Sequence, residues 1–309
     1  MVKKVKSMNK TSNWDENYYT YLTEKVDRGV SINPVINKTC DIIKNNFSKL
    51  DTIRILDMGC FTGSVLHQIY KNSSPRIKSK LILVGLDVEE EALKRGSEKF
   101  QNITYVKEDF FQTQESLVHQ YDIVILSNVL HEIFSDELIQ SKKSSYSRVN
   151  DVIRYASRLI KSNGALIILD GFMPEKSKKM IKIEFKNENY ANKFKQFLKS
   201  YKAFDLRGEF TSKTEVITNV ATSAVFLAKY RYIDTTYWKS EAKQLYQFIK
   251  IKKMKSILKQ NDFYNTQFEL QHFNDDVFKS MFDSLPREED FPMKNVLITS
   301  FKDPINFLS

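Results

Sequence analysis

Short apolar runs alternate with amphipathic segments through the middle of the chain. Five such runs lie between residues 53 and 170, each followed by a turn and a helical segment: IRILDMG, LILVGLD, ITYVKED, YDIVILSN and ALIILDGF. Their near-continuous apolarity is typical of parallel strands that are buried on both faces. The alternation therefore predicts an α/β protein with a doubly wound sheet. Two later runs, NTQFELQHF and KNVLITSFK, predict two closing strands of the same sheet.

The regions around this core predict three further parts. Residues 1–50 combine a polar, aromatic-rich stretch with apolar positions at helical spacing, which predicts a helical cap or lid before the core at 51–171. After Gly171 the alternation stops. Residues 172–250 mix the amphipathic segment YANKFKQFLKSY, the β-branched run TEVITNVATSAVFLA and the aromatic segment YWKSEAKQLYQFI, which we predict to be a helix. We interpret this region as an insertion on the substrate side, and 251–309 as the closing helix and last two strands.

Composition narrows the class of protein. The chain has 309 residues, of which 41% are hydrophobic, enough for a sizeable folded core. Two cysteines, Cys40 and Cys60, cannot form a disulfide framework or a cysteine-rich zinc site, and the histidines show no metal-binding spacing. We therefore expect no metal and a reducing, cytoplasmic location. No stretch approaches the ~20 apolar residues of a membrane-spanning helix, so membrane insertion is not expected.

The charge of the chain raises the question of an anionic partner. Lys and Arg number 48 against 38 Asp and Glu, a formal net charge of +10, and such a balance favours a partner such as RNA. Only ten of the basic residues are Arg, however, and surfaces that read bases favour its planar fork. The lysines between Lys250 and Lys259 span several faces of a helix, as a solvated surface does. We therefore do not expect nucleic acid as the partner.

The first apolar run ends in a turn with the pattern D-x-G-x-x-x-G, followed by a helical segment. Asp57 closes the strand, and Gly59 and Gly63 let a ligand approach the backbone closely, while amides at a helix start favour polar or anionic groups. The spacing G-x-G-x-x-G of dinucleotide-binding proteins is absent, which argues against a nicotinamide cofactor. The alternative is that both glycines serve only a tight strand-to-helix turn.

Polar side chains also end the next three runs. Asp87 closes the second, where a carboxylate can accept both hydroxyls of a ribose, cap the helix EEEALKRGSEKF, or do both. Asp109 and Phe110 follow the third, where they could hold an adenine amino group beside an aromatic ring. Ser127 and Asn128 follow the fourth. Ligands of open α/β sheets bind at the carboxyl edge, so these residues predict one binding site there.

At these four motifs the chain resembles the class I S-adenosylmethionine-dependent methyltransferases. The motifs are ILDMGCFTG, VGLDVEEEAL, VKEDF and YDIVILSNVLHEI, and they follow one another in the order and at the spacing of that family. The resemblance covers residues 50–172 and extends to the closing strands. It implies a seven-stranded, mostly parallel, Rossmann-like sheet, methyltransferase activity and S-adenosyl-L-methionine as cofactor.

The resemblance also implies roles for individual residues. Asp57 anchors the amino-acid end of the cofactor, Asp87 holds its ribose, and Asp109 contacts its adenine amino group. The full set of implied cofactor-binding residues is Asp57, Gly59, Cys60, Gly63, Asp87, Val88, Asp109, Phe110, Ser127, Asn128 and Leu130. We interpret Cys60 as small packing beside the cofactor, because it lacks the neighbours of a methyltransferase nucleophile.

We expect methyl transfer to an oxygen or nitrogen atom of a small-molecule acceptor. The fourth motif, SNVLHEI, lacks the N-P-P-Y sequence of adenine-N6 methyltransferases and the paired glutamates of arginine methyltransferases. His131 can take the proton of the acceptor as a general base, or can merely pack or hydrogen-bond beneath it. Trp14, Tyr18 and Asp170 are expected to line the acceptor pocket. The alternatives are a tRNA or rRNA methyltransferase and a non-catalytic cofactor-binding subunit that acts through protein contacts; the sequence does not indicate the oligomeric state.

Overall fold

Strands and helices alternate through most of the chain. The computed structural model of the protein describes residue 21 and residues 32–111, 119–141, 146–271, 280–284 and 295–302. The strands are β1 (Ile53–Met58), β2 (Leu81–Asp87), β3 (Ile103–Lys107), β4 (Tyr121–Ser127), β5 (Ile160–Asp170), β6 (Met180–Phe185), β7 (Gly208–Phe210), β8 (Glu215–Asn219), β9 (Phe263–Gln271), β10 (Phe282–Ser284) and β11 (Asn295–Lys302). The helices are α1 (Asn33–Ile42), α2 (Ser64–Asn72), α3 (Pro75–Lys78), α4 (Glu90–Lys99), α5 (Leu130–Ser141), α6 (Ser147–Leu159), α7 (Glu188–Ser200), α8 (Val220–Lys229), α9 (Trp238–Glu241) and α10 (Ile251–Gln260).

The larger sheet of the described residues has seven strands. Their order is β3-β2-β1-β4-β5-β11-β9. The first five pair in parallel, and β11 runs antiparallel to both of its neighbours, β5 and β9. The predicted doubly wound, mostly parallel sheet with two closing strands is therefore confirmed.

The central strands are buried on both faces, as their apolar runs require. All residues of β4 from Tyr121 to Leu126 are buried, and only the last, Ser127, is partly exposed. Neighbouring residues of one strand point to opposite faces, so that Leu56 joins one hydrophobic cluster and Ile55 the other. Helices cover both faces, and the core of the molecule lies in these two layers.

The order of the strands reverses between β1 and β4. These two strands pair directly, although β2 and β3 lie between them along the chain. The connections that leave their carboxyl ends pass to different sides of the sheet and open a crevice, where open α/β sheets bind ligands. Residues 59–63 and 128–131 follow these two strands and therefore flank the crevice.

The region 1–50, predicted as a cap, is described at Tyr21 and from residue 32 onward. Helix α1 has a proline in its first turn, where the missing N–H costs no hydrogen bond, and its apolar residues Val35, Ile36 and Ile42 are buried. They belong to the same cluster as Ile55 of β1. Helix α1 therefore covers one face of the sheet, and the boundary at residue 50 stays a prediction.

A second, four-stranded sheet follows β5. Its order is β10-β6-β8-β7, and each pair is antiparallel. Exposed and buried residues alternate along β6, so one face is solvated and the other packs on α7 and α8. The packed face forms an aromatic core with Phe185, Phe194, Phe197 and Phe226. Strand β10 lies outside the predicted insertion at 172–250, so the second sheet also takes chain from the closing segment.

Two segments of the insertion differ from what their composition suggests. The β-branched run splits into β8 and α8, because the side chain of Asn219 caps the helix by accepting the N–H of Thr222 at 2.7 Å. The predicted helix over YWKSEAKQLYQFI is wrong beyond α9, which ends at Glu241. There the N–H of Leu245 donates to the Ser135 hydroxyl of α5 at 2.9 Å, a tertiary bond in place of a helical one.

No helix within the described ranges has both the length and the apolarity to cross a bilayer.

Candidate active site

A buried carboxylate lies at the end of β1, at the point where the strand order reverses. Asp57 is 1% exposed, and neither of its carboxylate oxygens has a hydrogen-bond partner among the described residues. Burial, together with the nearby charge of Asp87, raises the pKa of Asp57 to about 8. Buried polar groups are nearly always hydrogen-bonded, so a carboxylate without a partner in a crevice indicates the place of a polar ligand group.

The turn that follows Asp57 depends on its glycines. Gly59 and Gly63 have φ values of +79° and +78°, which residues with a side chain rarely adopt. A β-carbon at Gly59 would also approach Val129 to 2.4 Å, and one at Gly63 would approach the hydroxyl of Tyr105 to 2.6 Å. Both glycines are therefore required by the protein's own packing, as the structural alternative proposes. That requirement does not exclude ligand contact.

Asp87 holds this turn against β2. One of its carboxylate oxygens accepts the N–H of Phe61 at 2.7 Å, and the other accepts those of Val88 and Glu89 at 2.8 and 3.0 Å. Helix α4 begins after Glu89, so Asp87 is not its N-cap residue, and that part of the prediction is wrong. Its carboxylate binds the two amides that precede the helix instead, and it lies beside the glycine turn.

The other predicted cofactor residues lie at the same edge. Asp109 accepts the N–H of Phe111 at 3.1 Å, and Phe110 is half-buried against the larger hydrophobic cluster. Cys60 is buried in the turn, where burial raises the pKa of its thiol well above the ordinary value. A thiol that stays protonated is a poor nucleophile, which agrees with the packing interpretation of Cys60.

The end of β4 adopts an unusual backbone conformation. Asn128 has φ +58°, a left-handed value that asparagine tolerates better than most residues, and its N–H donates to the carbonyl of Leu169 at 2.7 Å. Its side-chain amide donates to Ser127 Oγ at 3.3 Å. Leu130 is buried at the first position of α5. These residues bring the end of β4 against the end of β5.

His131 and Asp170 form a buried pair across this junction. The Nδ1 atom of His131 lies 2.8 Å from Asp170 Oδ1, and the backbone N–H of His131 donates to Asp170 Oδ2 at 3.1 Å. Since a carboxylate only accepts, Nδ1 carries the proton and the lone pair lies on Nε2. Nε2 has no hydrogen-bond partner among the described residues. Such an arrangement can accept a proton at Nε2 while the carboxylate stabilises the imidazolium.

Carboxyl groups of the core and of the insertion meet near this pair. Burial raises the pKa of Glu132 well above its ordinary value, and the charges of Asp136, Asp87, Asp170 and Glu241 add to the effect. Among the described residues, no group of three or more His, Cys, Asp or Glu is arranged to hold a metal ion. The titratable groups at this junction are thus one histidine and several carboxyl groups.

Sequence reasoning missed one residue of the site. Tyr246 lies in the irregular segment after α9, with its ring edge-on to the ring of His131 at a centroid distance of 4.7 Å. Its hydroxyl donates to Asn128 Oδ1 at 2.7 Å. The predicted helix over this segment concealed the contact, and no motif marks it. Trp14 and Tyr18, predicted to line the acceptor pocket, lie outside the described residues.

Comparison with known proteins identifies the family. Residues 49–248 match the family described as "Methyltransferase domain". The chain belongs to this methyltransferase family. It is an S-adenosylmethionine-dependent methyltransferase with a class I, Rossmann-like fold. No curated protein matches the chain by sequence.

Solved structures resemble the methyltransferase in fold. The S-adenosylmethionine-dependent methyltransferase from Mesorhizobium loti aligns with a TM-score of 0.50 and 14% identity, over 89% of this chain and 99% of that one. Human N-acetylserotonin methyltransferase, solved with bound SAM, aligns with a TM-score of 0.49 and 12% identity, over 94% and 57%. The CurJ carbon methyltransferase aligns with a TM-score of 0.47 and 14% identity, over 87% and 54%. The chain thus spans little more than half the length of the last two.

The residues of the methyltransferase fit its cofactor. S-adenosylmethionine carries an ammonium group, and the carboxylate of Asp57 is buried at the switch point with no partner in the part of the chain that the structure describes. The glycine turn brings backbone close to the same crevice, and the acid side chains of Asp87 and Asp109 lie at the neighbouring strand ends. The anionic and hydroxyl-accepting groups needed for such a molecule are therefore all present at one edge of the sheet.

Proposed function

We propose that the enzyme transfers the methyl group to an oxygen or nitrogen atom of a small-molecule acceptor, with His131 as the general base. The observation that carries the proposal is the buried pair of His131 and Asp170, in which Nε2 of the imidazole has no partner among the described residues. A histidine oriented by a carboxylate is suited to accept a proton from a hydroxyl or an amine.

The cofactor side of the proposed site is built by the strand ends. Asp57 would hold the amino-acid end of S-adenosylmethionine, Asp87 its ribose and Asp109 its adenine amino group, with Phe110 against the ring. Around them, the proposed contacts are Gly59, Cys60, Gly63, Val88, Ser127, Asn128 and Leu130. The bound cofactor supplies an electrophilic methyl carbon on a sulfonium.

The protein's own residues act on the acceptor. In the proposed step the acceptor oxygen or nitrogen forms a bond to the methyl carbon as the carbon–sulfur bond breaks, and its proton passes to Nε2 of His131. Asp170 keeps the imidazole in the required tautomer and stabilises the imidazolium through Nδ1–H. His131 would then return the proton to solvent, and the donor, having lost the methyl group and the positive charge, would be a neutral thioether.

The acceptor side is formed by the insertion and the N-terminal region. Tyr21 stacks on Tyr237 with a centroid distance of 4.4 Å, and its hydroxyl donates to that of Tyr232 at 3.1 Å. The N-terminal region therefore reaches the insertion three residues after Tyr18. This contact supports the proposal that Trp14 and Tyr18 help to line the acceptor pocket, with Asp170 at its floor.

The experiment is methylation of a cell extract with ¹³C-methyl-labelled donor. The extract is separated into small-molecule, RNA and protein fractions, and the ¹³C shift of the transferred methyl identifies whether it is bound to oxygen, nitrogen or carbon. We expect label in the small-molecule fraction on oxygen or nitrogen, and none above background with His131→Ala. Label in RNA would support a tRNA or rRNA methyltransferase instead, and a methyl on carbon would overturn the proposed acceptor atom.

A further inference from the structure

Tyr246 connects the two sides of the proposed site. It belongs to the insertion, yet its hydroxyl donates to Asn128 at the end of β4 and lies 2.8 Å from the side-chain amide of Asn295 at the start of β11. Burial, together with the charge of Asp170, raises the pKa of Tyr246 well above its ordinary value. The hydroxyl therefore stays protonated and serves as a hydrogen-bonding group.

The hydrogen bonds of this hydroxyl fix its direction. A phenol has one proton, so it can donate to only one of the two asparagines. Asn128 already donates from its amide nitrogen to Ser127 Oγ, which leaves its Oδ1 as an acceptor for Tyr246. Asn295 must then present an amide N–H to the phenol oxygen, a choice that side-chain amides permit by rotation. With both bonds made, the hydroxyl holds the side chain of Asn128 in one orientation.

The ring and the backbone of Tyr246 contact the catalytic pair. The ring lies at 72° to that of His131, an edge-on packing that restricts rotation of the imidazole. A β-carbon at Gly171, directly after Asp170, would approach the Tyr246 carbonyl oxygen to 2.4 Å. One residue earlier, Leu245 donates to the hydroxyl of Ser135, which in turn donates to the carbonyl of His131 at 2.6 Å.

We propose that Tyr246 is a positioning residue that sets the orientation of His131 with its ring and of Asn128 with its hydroxyl. The inference rests on the proposed function, because it assigns Tyr246 to the pair and the cofactor side defined there. Through Tyr246 the insertion that faces the acceptor also holds the strand end that faces the donor. A tyrosine is required at this position because phenylalanine supplies the ring without the bond to Asn128.

Two substitutions separate the two roles, and a third is the control. Tyr246→Phe keeps the ring and removes the hydroxyl, whereas Tyr246→Leu removes both. Tyr201→Phe is the matched control, because Tyr201 is a buried tyrosine of the insertion whose hydroxyl donates to a backbone carbonyl, that of Gln244, at 2.8 Å. Three properties are measured for each protein: the melting temperature, the affinity for S-adenosylhomocysteine by calorimetry, and the His131 tautomer from ¹⁵N signals of the imidazole.

The expected results need no knowledge of the acceptor. Tyr246→Phe weakens S-adenosylhomocysteine binding about 3- to 10-fold, the scale of one lost hydrogen bond, and leaves the tautomer of His131 unchanged. Tyr246→Leu weakens it at least as much and also gives a mixture of the two His131 tautomers, because without the Tyr246 ring the imidazole can rotate away from Asp170, which fixes the tautomer. Tyr201→Phe lowers the melting temperature without either change.

Each role has an outcome that overturns it. Unchanged affinity in Tyr246→Phe would show that the hydroxyl does not orient Asn128. A single unaltered His131 tautomer in folded Tyr246→Leu would show that the ring does not orient the imidazole. Failure of the proposed acceptor chemistry would instead be seen in the labelled product, with these binding and spectral effects intact.

Discussion

Buried polar groups at the strand ends of the cofactor core differ from those of the insertion in whether they have hydrogen-bond or ion-pair partners. At the strand ends, Asp57 and Nε2 of His131 have no partner among the described residues. In the insertion, Lys229 and Glu241 form a buried ion pair, and Tyr201 bonds to a backbone carbonyl. Leaving a buried polar group unpaired destabilises a fold, so these two groups at the strand ends are candidates for ligand contact, whereas the paired groups stabilise the insertion.

The insertion contains one departure from this rule. Gln247 is fully buried, and within the described ranges neither its side-chain oxygen nor its nitrogen has a hydrogen-bond partner. It directly follows Tyr246, the residue of the insertion whose ring contacts His131. The unpaired side chain of the insertion is thus next to the residue that contacts His131, whereas the paired groups lie in the insertion's own core.

The largest expected effect is that of His131, at the strand ends of the core. We expect His131→Ala to lower the turnover number about 10²- to 10⁴-fold, the usual contribution of a positioned general base, with S-adenosylhomocysteine binding nearly unchanged. The acid limb of the pH–rate profile should disappear with it, because a protonated imidazole cannot accept a proton.

His119 provides the control for this substitution. It lies before β4, at the opposite edge of the sheet, where its Nδ1 atom is 3.0 Å from the carbonyl oxygen of Ile160. His119→Ala should keep its turnover. If His131→Ala also kept near-full turnover on the acceptor that the labelling experiment identifies, His131 would be a packing residue. Its unpartnered Nε2 would then have no role in catalysis.

The sequence was sufficient to predict the cofactor core because local and global signals agree there. The central strands β1 and β4 are nearly continuous apolar runs, and the polar residues that close them, Asp57 and Ser127, lie at the carboxyl edge. Spacing along the chain thus becomes proximity in space through the regular geometry of a parallel sheet. The strand order and the meeting of four strand ends follow from that regularity.

The contacts of the insertion could not be predicted in the same way. Tyr246 and Asn128 are 118 residues apart, and no periodic element fixes their distance. The helical pattern of YWKSEAKQLYQFI was misleading because a tertiary hydrogen bond at Leu245 replaced the helix. The pairing of His131 with Asp170 was also not predicted, although both residues were candidates, since the direction of each side chain depends on the junction of β4 and β5.

The second prediction tests whether the ion pair of the insertion is architectural. Lys229 and Glu241 are 3% and 5% exposed, so Lys229→Met leaves a buried carboxylate without its partner. We expect a loss of about 3 to 5 kcal/mol in the free energy of unfolding, the usual cost of breaking a buried pair. Denaturant unfolding measures the loss, and calorimetry on the folded variant should show unchanged S-adenosylhomocysteine affinity.

An exposed pair gives the matched control. Lys182 and Glu215 form an ion pair on the solvated face of the second sheet, where the lysine side chain is 63% exposed. Lys182→Met should change the unfolding curve little, because solvent screens such pairs. Weakened cofactor binding in Lys229→Met would contradict a purely structural role of the ion pair, since it would show that the insertion's core also supports the donor site.

The third prediction concerns Asp87 and compares two carboxylates of the same sheet. Asp87→Ala should weaken S-adenosylhomocysteine binding by roughly 1.5 to 3 kcal/mol, because it removes the proposed ribose contact and the acceptor that holds the N–H of Phe61. Asp122 is the control: it is also buried, and it accepts the N–H of Arg54 and an ammonium proton of Lys161, each at 2.8 Å, at the amino edge. Asp122→Ala should lower stability alone. Equal affinities in the two variants would remove the ribose assignment.

The last prediction concerns the pH dependence of stability at Asp57. An unfolded chain ionises this carboxyl near its ordinary pKa of 3.8, whereas in the folded protein burial raises the pKa to about 8. Between these values the folded protein keeps a proton that the unfolded chain has lost. The contribution of Asp57 to stability is therefore fully present in acid and is lost as the pH rises from about 4 to about 8.

Asp57→Asn removes this dependence because an amide does not titrate. Relative to the parent protein, the variant should gain stability steadily between pH 5 and pH 8, by about 1.4 kcal/mol for each pH unit, as thermal melts at several pH values would show. It should bind S-adenosylhomocysteine more weakly, since the anion for the cofactor's ammonium group is gone. Saturating S-adenosylhomocysteine should reduce the stability difference, because the ligand then partners the parent's carboxylate. If the two melting temperatures instead ran parallel across this range, Asp57 would titrate alike in the folded and the unfolded chain. Its carboxylate would then not be destabilised by the lack of a partner, and this difference between the core and the insertion would be lost.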